Sequence, residues 1–130
     1  MKIIDGKNAV LGRLASYVAK EALKGEEIVI INCEDVIITG NKRNISEEFK
    51  AQRSRMGHGQ RGPKHIKTSD RIVKRVIRGM LPNYREGRGR DAYFRIKCYI
   101  GVPKEFEKSK RIVSGKEKKR KFSKIGEFVK

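Results

Sequence analysis

The sequence predicts an α/β fold with a mainly parallel sheet, and three features of the chain support this prediction. A strand at Lys2–Asp5, a helix that begins at Leu11 and stops at Gly25, and a strand at Ile28–Ile31 together form a βαβ unit. Apolar residues recur at intervals of three and four along the helix. The second strand is apolar without alternation, as expected when both faces of a parallel strand are covered. Residues 93–100 alternate apolar and polar side chains, which indicates a further strand with one face in the core.

Two more elements are predicted before residue 53. Residues 36–39 form an apolar run typical of a strand. The four residues between this run and Ile28–Ile31 are too few for a parallel crossover, so a hairpin and a broken strand both remain open. Asn44, with Glu47 three residues later, resembles a capping box and predicts a helix to about Gln52.

The second half of the chain places a helix between two basic, glycine-rich loops. Residues 53–67 contain three Gly, one Pro and five basic residues without an acid, which predicts an exposed loop. Ser69 or Asp70 caps the helix, Pro82 ends it, and residues 83–90 predict the second loop. The apolar face of the helix comprises Ile72, Val73, Val76, Ile77 and Met80, and its cations Lys74, Arg75 and Arg78 point away from that face.

The chain ends in the predicted strand and a basic tail. The strand directs Phe94, Ile96, Cys98 and Ile100 to the core and Tyr93, Arg95, Lys97 and Tyr99 to the other face. That other face is either a stacking platform for bases or a covered surface, and we favour the second interpretation. Between residues 104 and 124 lie ten basic residues and three acids, so the tail is expected to be disordered when free. The predicted organisation is an α/β domain over residues 1–103 and a basic C-terminal extension over 104–130.

The charge of the chain indicates a polyanionic partner. Thirty-three Lys and Arg oppose fifteen Asp and Glu among 130 residues, which gives a formal net charge of +18. Residues 1–50 are neutral, so the whole surplus lies in residues 51–130. This asymmetry is typical of a nucleic-acid-binding protein.

Other residue types exclude several classes of site. Cys33 and Cys98 stand singly in apolar stretches and no signal peptide precedes them, which indicates reduced structural thiols in a cytosolic protein. His58 and His65 have no cysteine or carboxylate pairs between them, so we expect no metal site. No apolar run approaches the length of a membrane span. We therefore expect no membrane partner.

A glycine motif raises the question of enzymatic function, because residues 57–62 satisfy the G-x-G-x-x-G spacing of dinucleotide-binding enzymes. That motif requires a preceding strand and a helix that opens within it, whereas here a charged, helix-like segment precedes it and Pro63 follows it. Gly6 and Gly12 likewise miss the spacing of a phosphate-binding P-loop. No catalytic triad or carboxylate pair is visible. We expect no cofactor, no small-molecule substrate and no enzymatic activity.

The two loops suit RNA for a physical reason. Glycine lets the backbone approach a phosphate ribbon, and the guanidinium group of arginine binds phosphate oxygens through two hydrogen bonds. The cations of the first loop are Arg53, Arg55, Arg61, Lys64 and Lys67, and those of the second are Arg85, Arg88 and Arg90. Together with the tail, these loops predict an extended cationic surface.

Four segments of the chain resemble one known family. They are "IDGKNAVLGRLAS" (4–16), "INCEDVIITGNK" (31–42), "RGPKHIKTSDRIVKRVIRGMLP" (61–82) and "GRGRDAYFRIKCYIGVP" (87–103). In this order they are similar to the large-subunit ribosomal protein L-thirteen family, in its archaeal and eukaryotic branch. Where relatives often have a proline before the "RGMLP" helix, this chain has Ser69 and Asp70, which we interpret as side-chain capping in place of a proline start.

The resemblance implies a three-layer α/β/α fold around a small, mainly parallel four-stranded sheet. It implies a structural, cytoplasmic role in the large ribosomal subunit, with binding to large-subunit ribosomal RNA (rRNA), contacts to neighbouring large-subunit proteins and a part in assembly. The rRNA-binding residues expected from the loops, tail and resemblance are Lys42, Arg43, Arg53, Arg55, His58, Arg61, Lys64, His65, Lys67, Arg78, Arg85, Arg88, Arg90, Lys118, Lys119, Arg120 and Lys121.

Two rival functions remain to be compared with rRNA binding. A nucleoid-type DNA-binding protein would also be basic, and the basic face of residues 70–81 would then be its groove-reading helix. A nucleotide-binding enzyme would use the glycine motif at 57–62 and would bind a nucleotide saturably.

Overall fold

The computed structural model describes residues 1–55, 57–58, 62, 64–117 and 119–129. The strands are β1 (Lys2–Asp5), β2 (Ile28–Ile31), β3 (Ile37–Thr39), β4 (Ile96–Cys98), β5 (Ile112–Val113) and β6 (Phe122–Lys124). The helices are α1 (Leu11–Leu23), α2 (Lys42–Ser54), α3 (Ser69–Met80), α4 (Gly87–Phe94) and α5 (Ile125–Phe128). Two single-turn 3₁₀ helices lie at Cys33–Asp35 and Lys104–Phe106.

The central sheet has four parallel strands in the order β4-β2-β1-β5. Strands β1 and β2 are joined through α1 as the predicted βαβ unit, with Ile4 opposite Ile30. The predicted α/β class with a four-stranded parallel sheet is therefore confirmed. Its fourth strand was not the predicted one, however, because β5 comes from the C-terminal segment.

The chain breaks away from the sheet after β2. Asn32 has a φ of 55°, in the left-handed region, and its side-chain amide donates a hydrogen bond of 2.9 Å to Asp5 Oδ1. The 3₁₀ turn that follows directs β3 into a separate, antiparallel two-stranded sheet with β6. Of the two alternatives for residues 36–39, the broken strand is therefore correct and the hairpin is wrong.

Alternate residues of the sheet enter two apolar clusters. Ile4, Ile28, Ile30 and Ile96 are buried on one face, with apolar side chains from α1, α3, α4 and α5. On the opposite face, Ile3, Val29 and Ile31 pack with Phe106 of the second 3₁₀ turn. Each fully buried isoleucine stabilises the fold by roughly 1.5–3 kcal/mol. This arrangement is consistent with three layers, with only a single turn in the layer on the Phe106 side.

Both predicted helix caps were wrong. Helix α2 begins after Asn41, whose side chain accepts a hydrogen bond of 3.2 Å from the backbone N–H of Arg43, so the capping residue is not Asn44. Ser69 and Asp70 lie inside the first turn of α3, and Thr68 precedes it without a side-chain cap. The Asp70 carboxylate still stabilises the helix, because it lies near the positive end of the helix dipole.

The predicted loop at residues 83–90 was wrong over its second half, and the predicted strand at 93–100 was wrong over most of its length. Gly87–Phe94 is helix α4, and only Ile96–Cys98 forms a strand. Phe94 and Ile100 are 66% and 55% exposed instead of buried. Since Tyr93 belongs to the helix, residues 93, 95, 97 and 99 do not form a single strand face.

The C-terminal segment is ordered where the structure describes it, so the expected disorder of this tail was wrong. The Ser114 hydroxyl group, next to β5, donates a hydrogen bond to the backbone carbonyl oxygen of Asp5. Ile125 and Phe128 of α5 are buried in the main apolar cluster. Residues on both sides of position 103 thus share one core, and the division of the chain at 103 stays a prediction.

The two cysteines are free thiols, Cys33 buried and Cys98 half-buried. The neighbouring Cys98 thiol and burial both raise the pKa of the Cys33 thiol. A thiol held protonated in this way is unreactive, which agrees with a structural role.

Candidate nucleic-acid interface

Four cations form a stripe along the side of α3 that faces away from the core. They are Arg71, Lys74, Arg75 and Arg78, spaced three and four residues apart on one helix face, and we call them the α3 stripe. The opposite side of the helix buries Ile72, Val73 and Ile77. Within the described residues, none of the four cations has an ion pair with a carboxylate. The stripe therefore presents uncompensated positive charge.

Aromatic rings hold two cations of the stripe in place. Lys74 Nζ lies 4.7 Å from the centroid of the Tyr93 ring, and Arg78 Cζ lies 4.6 Å from the centroid of the Tyr84 ring. The two tyrosine rings are themselves 6.0 Å apart. Each cation–π contact contributes about 0.5–1 kcal/mol at an exposed site. These contacts restrict the side chains and leave their positive charge unneutralised.

Arg85 joins the same group. Its guanidinium lies 5.4 Å from the Tyr84 ring centroid, and its Nε donates a hydrogen bond of 3.2 Å to the Tyr84 hydroxyl oxygen. This hydrogen bond, together with the charges of Arg85 and Arg78, lowers the pKa of the Tyr84 hydroxyl. Tyr84 thus contacts two guanidinium groups and restricts both.

A glycine contact sets the position of helix α4. A Cβ atom on the buried residue Gly89 would lie 2.5 Å from the carbonyl oxygens of Pro82 and Asn83, so only glycine allows the helix to pack this closely on the turn. Arg88 and Arg90 are exposed on this helix, and Arg90 Cζ lies 5.8 Å from the centroid of the Phe94 ring. The glycine pattern that predicted a loop is therefore a packing feature of a helix.

A second basic region lies at the end of the β3–β6 sheet. The backbone N–H of Gly40 donates a hydrogen bond of 2.9 Å to the Lys121 carbonyl, which brings Lys121 beside Gly40 and close to the start of α2. Two cations of this region are paired with carboxylates, Lys42 with Glu127 at 3.0 Å and Arg43 with Glu47 at 2.8 Å. The Lys42 pair lowers the pKa of the Glu127 carboxyl.

These two pairs leave the cations available to another anion. The side chains of Lys42 and Arg43 are 66% and 84% exposed, and exposed pairs of this kind contribute about 0–1 kcal/mol. A phosphate could therefore replace either carboxylate at little cost.

The remaining predicted residues lie around the loop before α3. Arg53 lies in the last turn of α2, with Cζ 5.7 Å from the Phe49 ring centroid. Its Nε and Nη2 are buried without a hydrogen-bond partner in the part of the chain that the structure describes. Arg55, His58, Lys64 and Lys67 are exposed, whereas His65 is half-buried. Arg61 and Lys118 lie outside the described residues.

The structure thus brings Arg78 and Arg85 to one ring, Tyr84, whereas Arg90 contacts a different ring, Phe94. Lys42, Arg43 and Lys121 belong to the other basic region, near the β3–β6 sheet. Five residues of the α3 stripe and its tyrosine supports were not among the binding residues predicted from the sequence. They are Arg71, Lys74, Arg75, Tyr84 and Tyr93. For the three cations a signal existed, because their spacing opposite the apolar positions of α3 places them on one helix face. The tyrosines gave no such signal, since their contacts join different elements.

Other kinds of site have little support in the geometry. No group of three or more His, Cys, Asp and Glu side chains that could hold a metal ion occurs among the residues described. None of the helices described is both long enough and apolar enough to cross a membrane.

Comparison with known proteins gives a consistent result. The sequence profile of the family described as Ribosomal protein L13 matches residues 1–105. The chain is 50% identical over 107 residues to the large ribosomal subunit protein uL13 of Methanopyrus kandleri, which covers 82% of this chain and 66% of that relative. It is 49% identical over 106 residues to the protein of the same name from Methanococcus maripaludis, with coverage of 79% and 77%. The chain is 48% identical over 113 residues to the Methanosarcina barkeri protein of that name, with coverage of 86% and 79%.

Proposed function

Because the chain belongs to the ribosomal protein L13 family, we propose that it is a structural component of the large ribosomal subunit that binds large-subunit rRNA. Its place in the cell is then the ribosome, a cytoplasmic particle. The chain spans slightly less than two thirds of the Methanopyrus kandleri relative, and relatives with that printed name support the proposal for the part they share.

The observation that carries rRNA binding is the α3 stripe with its aromatic supports. Phosphate oxygens bind best to cations that are unpaired and already positioned, since little side-chain freedom is then lost on binding. Lys74 and Arg78 meet both conditions through Tyr93 and Tyr84. A cation–π contact uses the face of a guanidinium group and leaves N–H groups at its edge for a phosphate.

The rRNA contacts extend from the stripe to the residues expected from the sequence. We assign such contacts to the described cations and histidines Lys42, Arg43, Arg53, Arg55, His58, Lys64, His65, Lys67, Arg78, Arg85, Arg88, Arg90, Lys119, Arg120 and Lys121. Arg61 and Lys118 stay predictions from the sequence alone. Simultaneous contact by both basic regions would join separate parts of the rRNA, which is how such a protein would assist subunit assembly. Neighbouring large-subunit proteins are the other expected partners.

Because the chain belongs to a family of structural ribosomal proteins, we assign no enzymatic activity to it. A DNA-reading role for α3 fits the geometry less well. A recognition helix enters the major groove, whereas α3 packs against α1 and β4, and its cations contact Tyr84 and Tyr93. The flanks of the helix are thus occupied by other elements.

A competition experiment tests the proposal. The full chain is bound to a labelled large-subunit rRNA fragment at fixed salt, and unlabelled rRNA or duplex DNA of equal length is added. We expect rRNA to compete at concentrations at least tenfold lower than DNA. Equal competition by the two polymers would contradict specific rRNA binding and favour the DNA-binding alternative.

A further inference from the structure

A pocket beside the α3 stripe has mostly apolar walls, and Arg75 is the one lysine or arginine among the described residues that line it. It has a volume of about 470 Å³ and lies between α1, α2, β3 and α3. Its apolar walls include Phe49, Ile72 and Val76, and its polar groups include Gln52, His65 and Arg75. No acidic side chain is among the described residues that line it. The pocket has the size of sites that bury small ligands, which is about 300–1,000 Å³.

Arg75 connects the pocket to the stripe, because it belongs to both. Its Nη1 lies 3.2 Å from Nδ1 of His65. A guanidinium group has only donors, so the imidazole nitrogen accepts this hydrogen bond. His65 therefore holds the Arg75 guanidinium at the boundary between the apolar walls and the cations of α3.

We propose that this pocket takes one unpaired nucleobase of the rRNA, while phosphates next to that nucleotide lie on the α3 stripe. The apolar walls suit the flat faces of a base, and the Gln52 amide supplies both a donor and an acceptor for its edge. The ligand must combine an apolar group for the pocket with negative charge for the α3 stripe, as a nucleotide does. An apolar side chain of a neighbouring protein would match the walls but leave the cations without partners. This inference rests on the proposed rRNA binding.

Chemical probing at single-nucleotide resolution tests the inference. The full chain and a Val76→Phe variant, in which a larger side chain fills the pocket, are each bound to large-subunit rRNA, and every base is probed with reagents that modify unpaired bases. The unaltered chain should protect one unpaired base that becomes reactive again with Val76→Phe, while the rest of the footprint remains. Loss of one buried base should weaken binding about 5- to 150-fold. Ile112→Phe, which enlarges an exposed apolar residue of β5, is the control and should leave the footprint unchanged.

Ultraviolet crosslinking of the unaltered chain gives a measurement that does not depend on a variant's folding. The same nucleotide should be attached to a peptide that contains His65 or Phe49. An identical footprint for both chains, or crosslinks only at other peptides, would overturn the inference and leave rRNA binding intact. Loss of a neighbouring protein from reconstituted subunits with Val76→Phe, at an unchanged rRNA footprint, would also overturn it. If the unaltered chain fails to bind rRNA at all, the proposed function itself falls.

Discussion

Replacing three cations of the α3 stripe should reduce both the affinity for rRNA and its dependence on salt. The change is Arg71→Gln, Lys74→Gln and Arg78→Gln in one chain. Each phosphate contact contributes a slope of about 0.7 for single strands to 0.9 for duplexes in a plot of log affinity against log salt. Three lost contacts should therefore lower the slope by about 2.1 to 2.7. If the variant and the unaltered chain bind equally at 1 M salt, the variant should bind about 100- to 500-fold more weakly at 0.1 M salt.

The fold should survive this change. The three side chains are exposed or half-exposed, and the variant loses two cation–π contacts, which together contribute about 1–2 kcal/mol. Binding is measured by filter retention or fluorescence anisotropy over a series of salt concentrations, and folding by circular dichroism.

A charge-matched control separates location from total charge. Lys7, Arg13 and Lys20 are exposed, have no ion pair among the described residues and lie in the neutral part of the chain. Changing these three to glutamine removes the same charge but should lower the slope by less than 1. Equal losses in the two variants would refute the reasoning, because binding would then follow net charge alone.

Three further changes test the packing and electrostatics behind the site. Gly89→Ala places a Cβ 2.5 Å from two backbone carbonyl oxygens and should destabilise the fold by about 1–3 kcal/mol in urea unfolding. The control Gly12→Ala should not destabilise the fold, because nothing lies within 4 Å of the added Cβ. Equal stabilities of the two variants would show that α4 does not pack as described. Phe128→Ala should cost about 3–5 kcal/mol, since this ring is buried in the core, and an unchanged unfolding midpoint would instead support a disordered tail. Hydrogen bonds from Lys2 and Lys24 lower the pKa of the Glu21 carboxyl from 4.5 to about 2, so the ionised group stabilises the fold fully above pH 4.5 and loses this effect as the pH falls towards 2. Glu21→Gln should therefore reduce stability at pH 7 but match the unaltered chain near pH 2, and a pH-independent difference in denaturant unfolding would contradict the ionic contribution.

The parts of the fold that were predicted correctly depend on local periodicity. Helix α1 and strand β2 could be identified because their apolar patterns are long enough to indicate one covered face and two covered faces, respectively. Strand β5 could not, since it contains only two residues, both exposed, in a lysine-rich segment. Its place in the sheet depends on pairing with β1, more than one hundred residues earlier in the chain.

Helix α4 shows why composition misled the prediction at residues 87–94. Gly87 and Gly89 indicated a loop, because glycine is unfavourable inside helices. In the structure Gly87 has a φ of 60° at the first helical residue, and Gly89 allows contact with the preceding turn. Tertiary packing decided the conformation, and no pattern within this segment shows the carbonyl groups against which it packs.

The candidate site could be predicted in charge but not in arrangement. The excess of cations after residue 50 indicated a polyanionic partner, and the predicted binding residues Arg78, Arg85 and Arg90 lie in that part of the chain. The Lys74–Tyr93 contact and the Lys42–Glu127 pair, in contrast, join residues that lie far apart in the sequence. Charge is a local property of the sequence, whereas pairing is a property of the folded chain.

Sedimentation of the native protein tests the central claim most directly. A cell extract is separated on sucrose gradients at low salt and at stepwise higher salt, and the chain is quantified in each fraction. We expect it in the large-subunit fraction at about one copy per particle, with release only as salt is raised. Recovery of the chain as free protein at low salt would contradict a structural place in the large subunit.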